Sequence, residues 1–166
     1  MKDFTDKISS YNLFNNLLPG IIYAYIVSFL TNMNLIVDNL LWGFFVYYFI
    51  GLVISRIGSL IIDPILKKIK FINTELYNDY LNASIKDCKI ELFTEINNMY
   101  RTIIALLLLV LITKGVHYLV DYYCIQWVHV IILTIALLLT LFLFAYKKQT
   151  KYIKKRISIA NNKEDK

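Results

Sequence analysis

One arginine interrupts a long apolar run and is the residue best placed to support chemistry. Arg56 lies within the stretch from Leu40 to Ile62, whose about 20 residues suffice to cross a ~30 Å hydrocarbon core. Ser59 and Asp63 follow it at i+3 and i+7, roughly on one helical face. An arginine at membrane depth costs ~2.5 kcal/mol or more, so it needs a partner or water. Three interpretations stay open: a packing clamp that bonds Ser59, Asp63 or a neighbouring carbonyl, a residue that lines a hydrated path, or a side chain that reaches the membrane surface.

A second polar set lies in the third apolar run. Lys114, His117 and Asp121 share a helical face at i, i+3 and i+7, near the outer end of that run. The set has the residue types of a proton relay, provided that water reaches it. A lysine that extends to the membrane surface beside an interfacial carboxylate is the alternative interpretation.

Small residues form a stripe beside Arg56. Gly51, Ser55 and Ser59 recur every four residues, and Gly58 lies next to them. In lipid, small side chains let two helix backbones approach closely. The stripe therefore predicts close helix packing, either within one chain or between subunits.

Motifs for enzymes, cofactors and metals are absent from the sequence. We find no nucleophile with a positioned base, no paired-carboxylate site, no HExxH, no phosphate-binding glycine loop and no Cys/His cluster. Cys88 and Cys124 fall in segments expected on opposite sides of a membrane, so they cannot pair within one chain. We expect a protein that is not an enzyme and has no cofactor or metal.

The composition indicates the class that must position these residues. The 166 residues are 58% hydrophobic, with a mean hydropathy of +0.55, and the apolar residues come in blocks. This is typical of an integral membrane protein rather than a soluble domain. The expected fold is all-α in a single membrane domain, with a cytoplasmic helical segment over residues 65–101 and four transmembrane helices over about 17–33, 40–62, 102–120 and 125–146.

Local signals predict where these helices begin and end. Pro19 is placed to open the first helix, because its missing N–H is one that a first helical turn leaves unpaired. Pro64 should end or bend the second. Asn73 and Asp87 predict the starts of two short cytoplasmic helices. The third apolar run is too short to cross a bilayer unless its helix continues through Lys114.

Charge placement predicts the orientation. Basic residues cluster outside the predicted spans on one side, and the first hairpin loop has none. The positive-inside rule then places both termini in the cytoplasm of a bacterial cell, with the protein in the inner membrane. The net charge of +6 is therefore topological, and we expect no direct nucleic-acid binding. The basic tail, 147–166, either contacts anionic headgroups or a partner, or is a topology signal with a disordered end; its contact candidates are Lys147, Lys148, Lys151, Lys154, Lys155 and Arg156.

Two segments carry a family resemblance. Asn-Leu-Leu-Pro-Gly at 16–20 and Ser-Arg-Ile-Gly-Ser-Leu-Ile-Ile-Asp-Pro at 55–64 resemble small multi-span membrane components of bacterial antiphage defence operons. The resemblance implies a membrane protein that works with a separate cytosolic protein. We therefore expect a homo-oligomeric inner-membrane effector or platform that binds a cytosolic partner through residues 65–101 and the basic tail. The alternatives are a channel or transporter subunit with Arg56 and Lys114 on an internal polar path, and a holin-like protein that forms membrane lesions.

Overall fold

All the regular elements in the described part of the chain are helices, so the all-α class is confirmed there. The computed structural model describes residues 2–31, 33–75, 77–87 and 89–164; Cys88 lies outside the described residues. The elements are α1 (Lys2–Thr31), α2 (Leu40–Ile57), a π-helical segment (Gly58–Ile62), α3 (Asp63–Lys68), α4 (Tyr77–Lys86), α5 (Lys89–Tyr122) and α6 (Trp127–Glu164).

Three helices in the described residues are long and apolar enough to cross a membrane. They are Leu40–Lys68, which joins α2, the π-helical segment and α3, together with Lys89–Tyr122 and Trp127–Ser158. The apolar part of α1, Asn15–Thr31, is shorter. At ~1.5 Å per residue it extends for about 26 Å, slightly less than a typical hydrocarbon core.

The four long helices run up, down, up and down. The Asn15 side chain lies 3.5 Å from Thr102, and Tyr23 lies 2.7 Å from Thr113, so α1 and α5 are parallel. α2 and α6 run the opposite way. The short links over 33–39 and 123–126 therefore lie at one end of the bundle, and α4 lies at the other. We call this second end the α4 end; the start of α1 and the close of α6 both lie on its side.

The core is formed mainly by α1, α2 and α5. Val27, Ile54, Ala105, Leu106 and Val110 form one buried apolar cluster. The most apolar stretch of α6 has no buried residue, so α6 lies against the side of this core rather than within it. Most large apolar side chains on the bundle are exposed, as expected of helices that lipid would cover.

Two local predictions were wrong. α1 does not begin at Pro19 but continues through it, because tertiary packing holds the chain there: Asn15, Asn16, Pro19 and Gly20 are all buried. Asp87 does start a helix, since its carboxylate accepts a 2.9 Å hydrogen bond from the Lys89 N–H. That helix is α5 itself, however, which runs unbroken from the α4 end through Lys114 to Tyr122, rather than a second short helix.

The structure also bears on the two interpretations of the basic tail. α6 continues as a regular helix to Glu164, so the described part of the basic tail is helical rather than a disordered end. Its 38 residues span about 57 Å at ~1.5 Å per residue, almost twice the thickness of a hydrocarbon core. The helix therefore projects well beyond the α4 end of the bundle.

Pro64 widens the helix instead of ending it. Just before the proline, the Asp63 N–H bonds to the Gly58 carbonyl, five residues back. The helix then resumes its normal register and ends at Lys68, after which Lys70 adopts a left-handed conformation with φ of 58°. The π-helical turn thus accommodates a residue that lacks an N–H and cannot continue the regular ladder.

Candidate functional site

The π-helical segment leaves one backbone carbonyl without its usual partner. In the i→i+5 register, the Ser59 carbonyl would accept from residue 64, which is a proline and has no N–H. Lys148 of α6 supplies the missing donor: its ammonium group lies 2.6 Å from the Ser59 carbonyl oxygen and 2.8 Å from Ser59 Oγ. The proline in one helix thereby creates the acceptor that holds another helix.

The partners of Arg56 differ from those expected of a local clamp. Asp63 forms an ion pair with Lys67, at 2.8 Å, and Ser59 is bonded to Lys148. No hydrogen bond or ion pair joins Arg56 to either residue in the described contacts. The physical reason is direction: the Arg56 Cα–Cβ bond tilts toward the N-terminus of α2, away from Asp63, whereas Lys67 lies one turn beyond Asp63 and its ammonium group reaches back to that carboxylate.

Basic residues from several helices lie near this turn. Arg101 of α5 lies against Gly58: a Cβ built on the glycine would be 3.2 Å from the Arg101 carbonyl oxygen and 3.3 Å from Arg101 Cγ. Arg56, Lys67 and Arg101 also lie within Coulomb range of the Lys148 ammonium group, with Asp63 as the acidic neighbour in the described residues. We call Arg56, Lys67, Arg101 and Lys148 the basic cluster.

Sequence reasoning placed Arg56 here but missed its companions. Arg101 directly precedes the third apolar run, and Lys148 comes two residues after the fourth apolar run ends at Tyr146. In an up-and-down bundle, such flanking positions lie at the same depth. That shared depth was the available signal, and it required the topology to be combined with the charge pattern.

The small-residue stripe lies at three different interfaces within one chain. Gly51 is buried against α1, and a Cβ added there would come within 1.5 Å of the Asn16 carbonyl oxygen. Gly58 faces α5, as described above, while Ser59 meets α6 through Lys148; Ser55 is partly buried. Gly20, which the stripe did not include, is equally tight, since its added Cβ would lie 1.8 Å from the Tyr47 carbonyl oxygen. Its position after Pro19 in an apolar helix was the only sequence signal.

The residues at the opposite end of α5 do not come together as one group. Lys114 donates a 2.5 Å hydrogen bond to the Leu30 carbonyl oxygen, which belongs to the last turn of α1, where carbonyls lack intrahelical donors. His117 Nδ1 lies 3.6 Å from an Asp121 carboxylate oxygen, and its ring centroid is 5.7 Å from that of Trp127. Lys114 therefore binds α1, while His117 lies between a surface carboxylate and the start of α6.

The helical tail packs on α4 through aromatic rings. Tyr152 stacks on Tyr77 with ring centroids 4.6 Å apart, and the Lys155 ammonium group lies 5.9 Å from the Tyr77 ring centroid. Burial raises the pKa of the Tyr77 phenol above its usual value. Lys148, expected to contact headgroups or a partner, is instead half-buried beside Ser59. Among the basic tail residues predicted to contact headgroups or a partner, the exposed ones are Lys147, Lys151, Lys154 and Arg156.

An apolar barrier separates the polar groups at the two ends of the bundle. The buried cluster of Val27, Ile54, Ala105, Leu106 and Val110 lies between the level of Arg56 and that of Lys114. A polar path from one to the other through the core of α1, α2 and α5 would have to cross it. Comparison of this chain with protein-family models, with curated proteins and with solved structures found no match.

Proposed function

We propose that the chain is a multi-pass protein of the bacterial inner membrane, with four spans and both termini in the cytoplasm. The up-and-down arrangement supports this, because it brings the start of α1 and the close of α6 to the same end. Basic residues are concentrated at that end, as the positive-inside rule requires of the cytoplasmic side. α1 serves as the first span, since its slightly short apolar part is packed along α2 and a bilayer adapts to a mismatch of a few ångströms at modest cost.

We further propose that the protein is an oligomeric effector or platform that binds a cytosolic partner in antiphage defence. The carrying observation is a helical module at the α4 end, made of α4, the start of α5 and the extension of α6. We call it the cytoplasmic module. It is continuous with two proposed spans and is joined by the Tyr77–Tyr152 stack. A rigid connection of this kind passes a partner's binding directly to the membrane helices.

The surface of the cytoplasmic module suits a protein partner. Large apolar side chains are exposed along the start of α5, where Leu92 is 53% and Phe93 63% accessible. On the tail, Ile153 and Ile157 are each more than half accessible. These side chains lie outside the apolar runs of their helices, too far along the helix axis for lipid to cover them. Exposed apolar groups among charged ones are typical of interaction surfaces.

This surface favours the platform over the other two functions. A channel or transporter subunit would need a polar path between Arg56 and Lys114, and the buried apolar cluster lies between them. A holin-like lesion former would need little more than its spans, whereas this chain orders α4 and long extensions of α5 and α6 outside them.

Site-specific photo-crosslinking in cells that carry the gene with its neighbours tests the proposal. A photoreactive residue at Phe93 should give a discrete adduct with one cytosolic protein. The same residue at Phe29, which is 81% exposed on the apolar part of α1, should react with lipid alone and serves as the matched control. Phe93→Glu, which carries no photoreactive residue, should abolish protection in a phage plaque assay while the protein stays at wild-type level in the membrane. Two results together would refute the platform: full protection by Phe93→Glu, and no adduct from the variant with the photoreactive residue at position 93.

A further inference from the structure

We propose that α3 and the turn after it bind the anionic lipid surface of the cytoplasmic leaflet. The binding surface consists of three apolar side chains and two cations, and we call it the α3 anchor: Ile65, Lys68, Ile69, Lys70 and Phe71. The apolar members insert among the lipid headgroups, and the two ammonium groups meet lipid phosphates. The inference rests on the proposed membrane setting, but it goes beyond the platform, whose partner surface lies on α5 and α6.

The first argument is the depth at which α3 lies. The continuous helix Leu40–Lys68 has 29 residues, which extend for about 43 Å at ~1.5 Å each. A hydrocarbon core of ~30 Å uses about 20 of them, and a bilayer with both headgroup layers measures about 40–45 Å. When the helix begins at the outer surface, its last turns therefore lie in the inner headgroup layer.

The second argument is the continuity of the exposed apolar face. Ile61, Ile65 and Ile69 recur every four residues, and they are 47%, 51% and 62% exposed. Residues at this spacing share one face of a helix, so the face that lipid would cover at Ile61 continues past Pro64 to the end of α3. Phe71 extends it and is 75% exposed. A stripe of this kind is typical of helices whose apolar side chains enter the boundary between headgroups and acyl chains.

The third argument is charge. Lys68 and Lys70 are both exposed, and neither forms an ion pair with another described residue. Lys67, which lies between them and the π-helical segment, is instead paired with Asp63. Lys68 follows Ile65 by three residues and so lies beside the apolar face. Free cations next to exposed apolar groups complement an anionic membrane surface.

The fourth argument is the way in which α3 ends. The Phe71 N–H bonds to the Leu66 carbonyl oxygen at 2.9 Å. The Lys70 N–H bonds to the Lys67 carbonyl oxygen at 3.1 Å, which completes a Schellman motif. Glycine usually occupies the left-handed position of this motif, but here it is Lys70, with φ of 58°. The next residue commonly packs back on the last turn, whereas Phe71 is exposed. A membrane surface accounts for both the cation and the uncovered ring.

Tryptophan quenching in vesicles tests the anchor, with the full-length protein in phosphatidylcholine that contains phosphatidylglycerol and lipid brominated near the headgroup. Trp42→Phe and Trp127→Phe remove the native fluorophores, and Phe71→Trp places one on the anchor. Its emission should be blue-shifted and quenched by the bromine. Ile157→Trp is the matched control, because this exposed isoleucine also follows several cations but lies far along α6; its emission should be that of tryptophan in water.

The role of the cations is tested in the same vesicles. Lys70→Gly should lower the equilibrium constant for insertion of the tryptophan about fivefold, the effect of one basic residue at a membrane surface. Its Tm in detergent should be unchanged or higher, because glycine suits the left-handed turn. Lys86→Gln removes an exposed charge from α4 and should change neither quantity. Equal quenching in Lys70→Gly and the parent protein would overturn the lipid contact of this cation.

Three further results would overturn the anchor: water-like emission at position 71, equal quenching at positions 71 and 157, or emission at position 71 that becomes apolar only after a cytosolic extract is added, which would assign the surface to a protein. Phe29→Trp, on the exposed apolar part of α1, separates the anchor from the membrane setting. Quenching at position 29 but not at 71 refutes the anchor alone, whereas water-like emission at both refutes the membrane setting. The vesicles contain no cytosolic partner, so the anchor and the platform can fail separately.

Discussion

α1 and α6 both pack against α2, but the two contacts are built in opposite ways. α1 meets α2 backbone to backbone, because Gly20 and Gly51 remove the side chains that would separate them. α6 meets α2 through side-chain ends: Phe142 stacks on Phe49 at 6.1 Å, and Lys148 bonds to Ser59. At the first contact no side chain separates the two helix backbones, whereas the second contact consists of a few separate side-chain interactions.

In the proposed membrane setting, the difference indicates what holds the helices together. A hydrophobic driving force between helices is absent in lipid, so association rests on close van der Waals contact and on polar bonds. The α1–α2 interface uses the first, and the α2–α6 interface uses mainly the second. Substitutions should therefore be most damaging at the glycines and progressively milder at the polar contacts.

The largest expected effect is at Gly51. Gly51→Ala would place a methyl group within 1.5 Å of the Asn16 carbonyl oxygen, so α1 and α2 must move apart at a cost of about 3 kcal/mol or more. Thermal unfolding in detergent should show a large drop in Tm. Gly115→Ala is the matched control, because nothing lies within 4 Å of its added Cβ; the better helix propensity of alanine should leave Tm unchanged or raise it. A wild-type Tm for Gly51→Ala would refute the close approach.

The next effect is at Lys148. Lys148→Met removes the donor to the Ser59 carbonyl, and an unsatisfied acceptor of this kind costs about 1–3 kcal/mol. Hydrogen exchange should become faster along α6 around residues 147–158, with little change in α1. Lys147→Met, at the exposed neighbouring position, should exchange like the wild type. If the two variants behave alike, Lys148 does not fasten α6.

A smaller effect is expected where α1 meets α5. Thr113→Val removes the hydroxyl that lies 2.7 Å from the Tyr23 hydroxyl, which should lower the free energy of unfolding by about 1 kcal/mol. Thr134→Val makes the same change on α6, where the hydroxyl bonds only to the Val130 carbonyl of its own helix. Chemical denaturation in mixed micelles should separate the two variants, and an equal loss in both would show that the contact between helices contributes nothing.

The sequence predicted the helices better than their contacts. Long apolar runs and basic flanks predict the all-α class, because those features depend on composition alone. Pro19 misled the prediction of a helix start, since packing against α2 overrode the local preference, and at Pro64 a π-helical turn takes the place of a helix end. The spacing of Arg56, Ser59 and Asp63 indicated a shared face, but spacing on one helix cannot show that Lys148, 89 residues away from Ser59, takes the acceptor.

Cysteine accessibility in intact cells tests the central claim, that four helices cross the membrane with both termini inside. A reagent that cannot cross the inner membrane should label Cys124, which is exposed in the link between α5 and α6. In a Cys124→Ser background it should also label Asn34→Cys in the link between α1 and α2. In a Cys124→Ser background, Lys151→Cys should react only after the membrane is opened, as should the native Cys88. Labelling of Asn34→Cys only in opened membranes would show that α1 does not cross, and labelling of Lys151→Cys in intact cells would contradict the orientation.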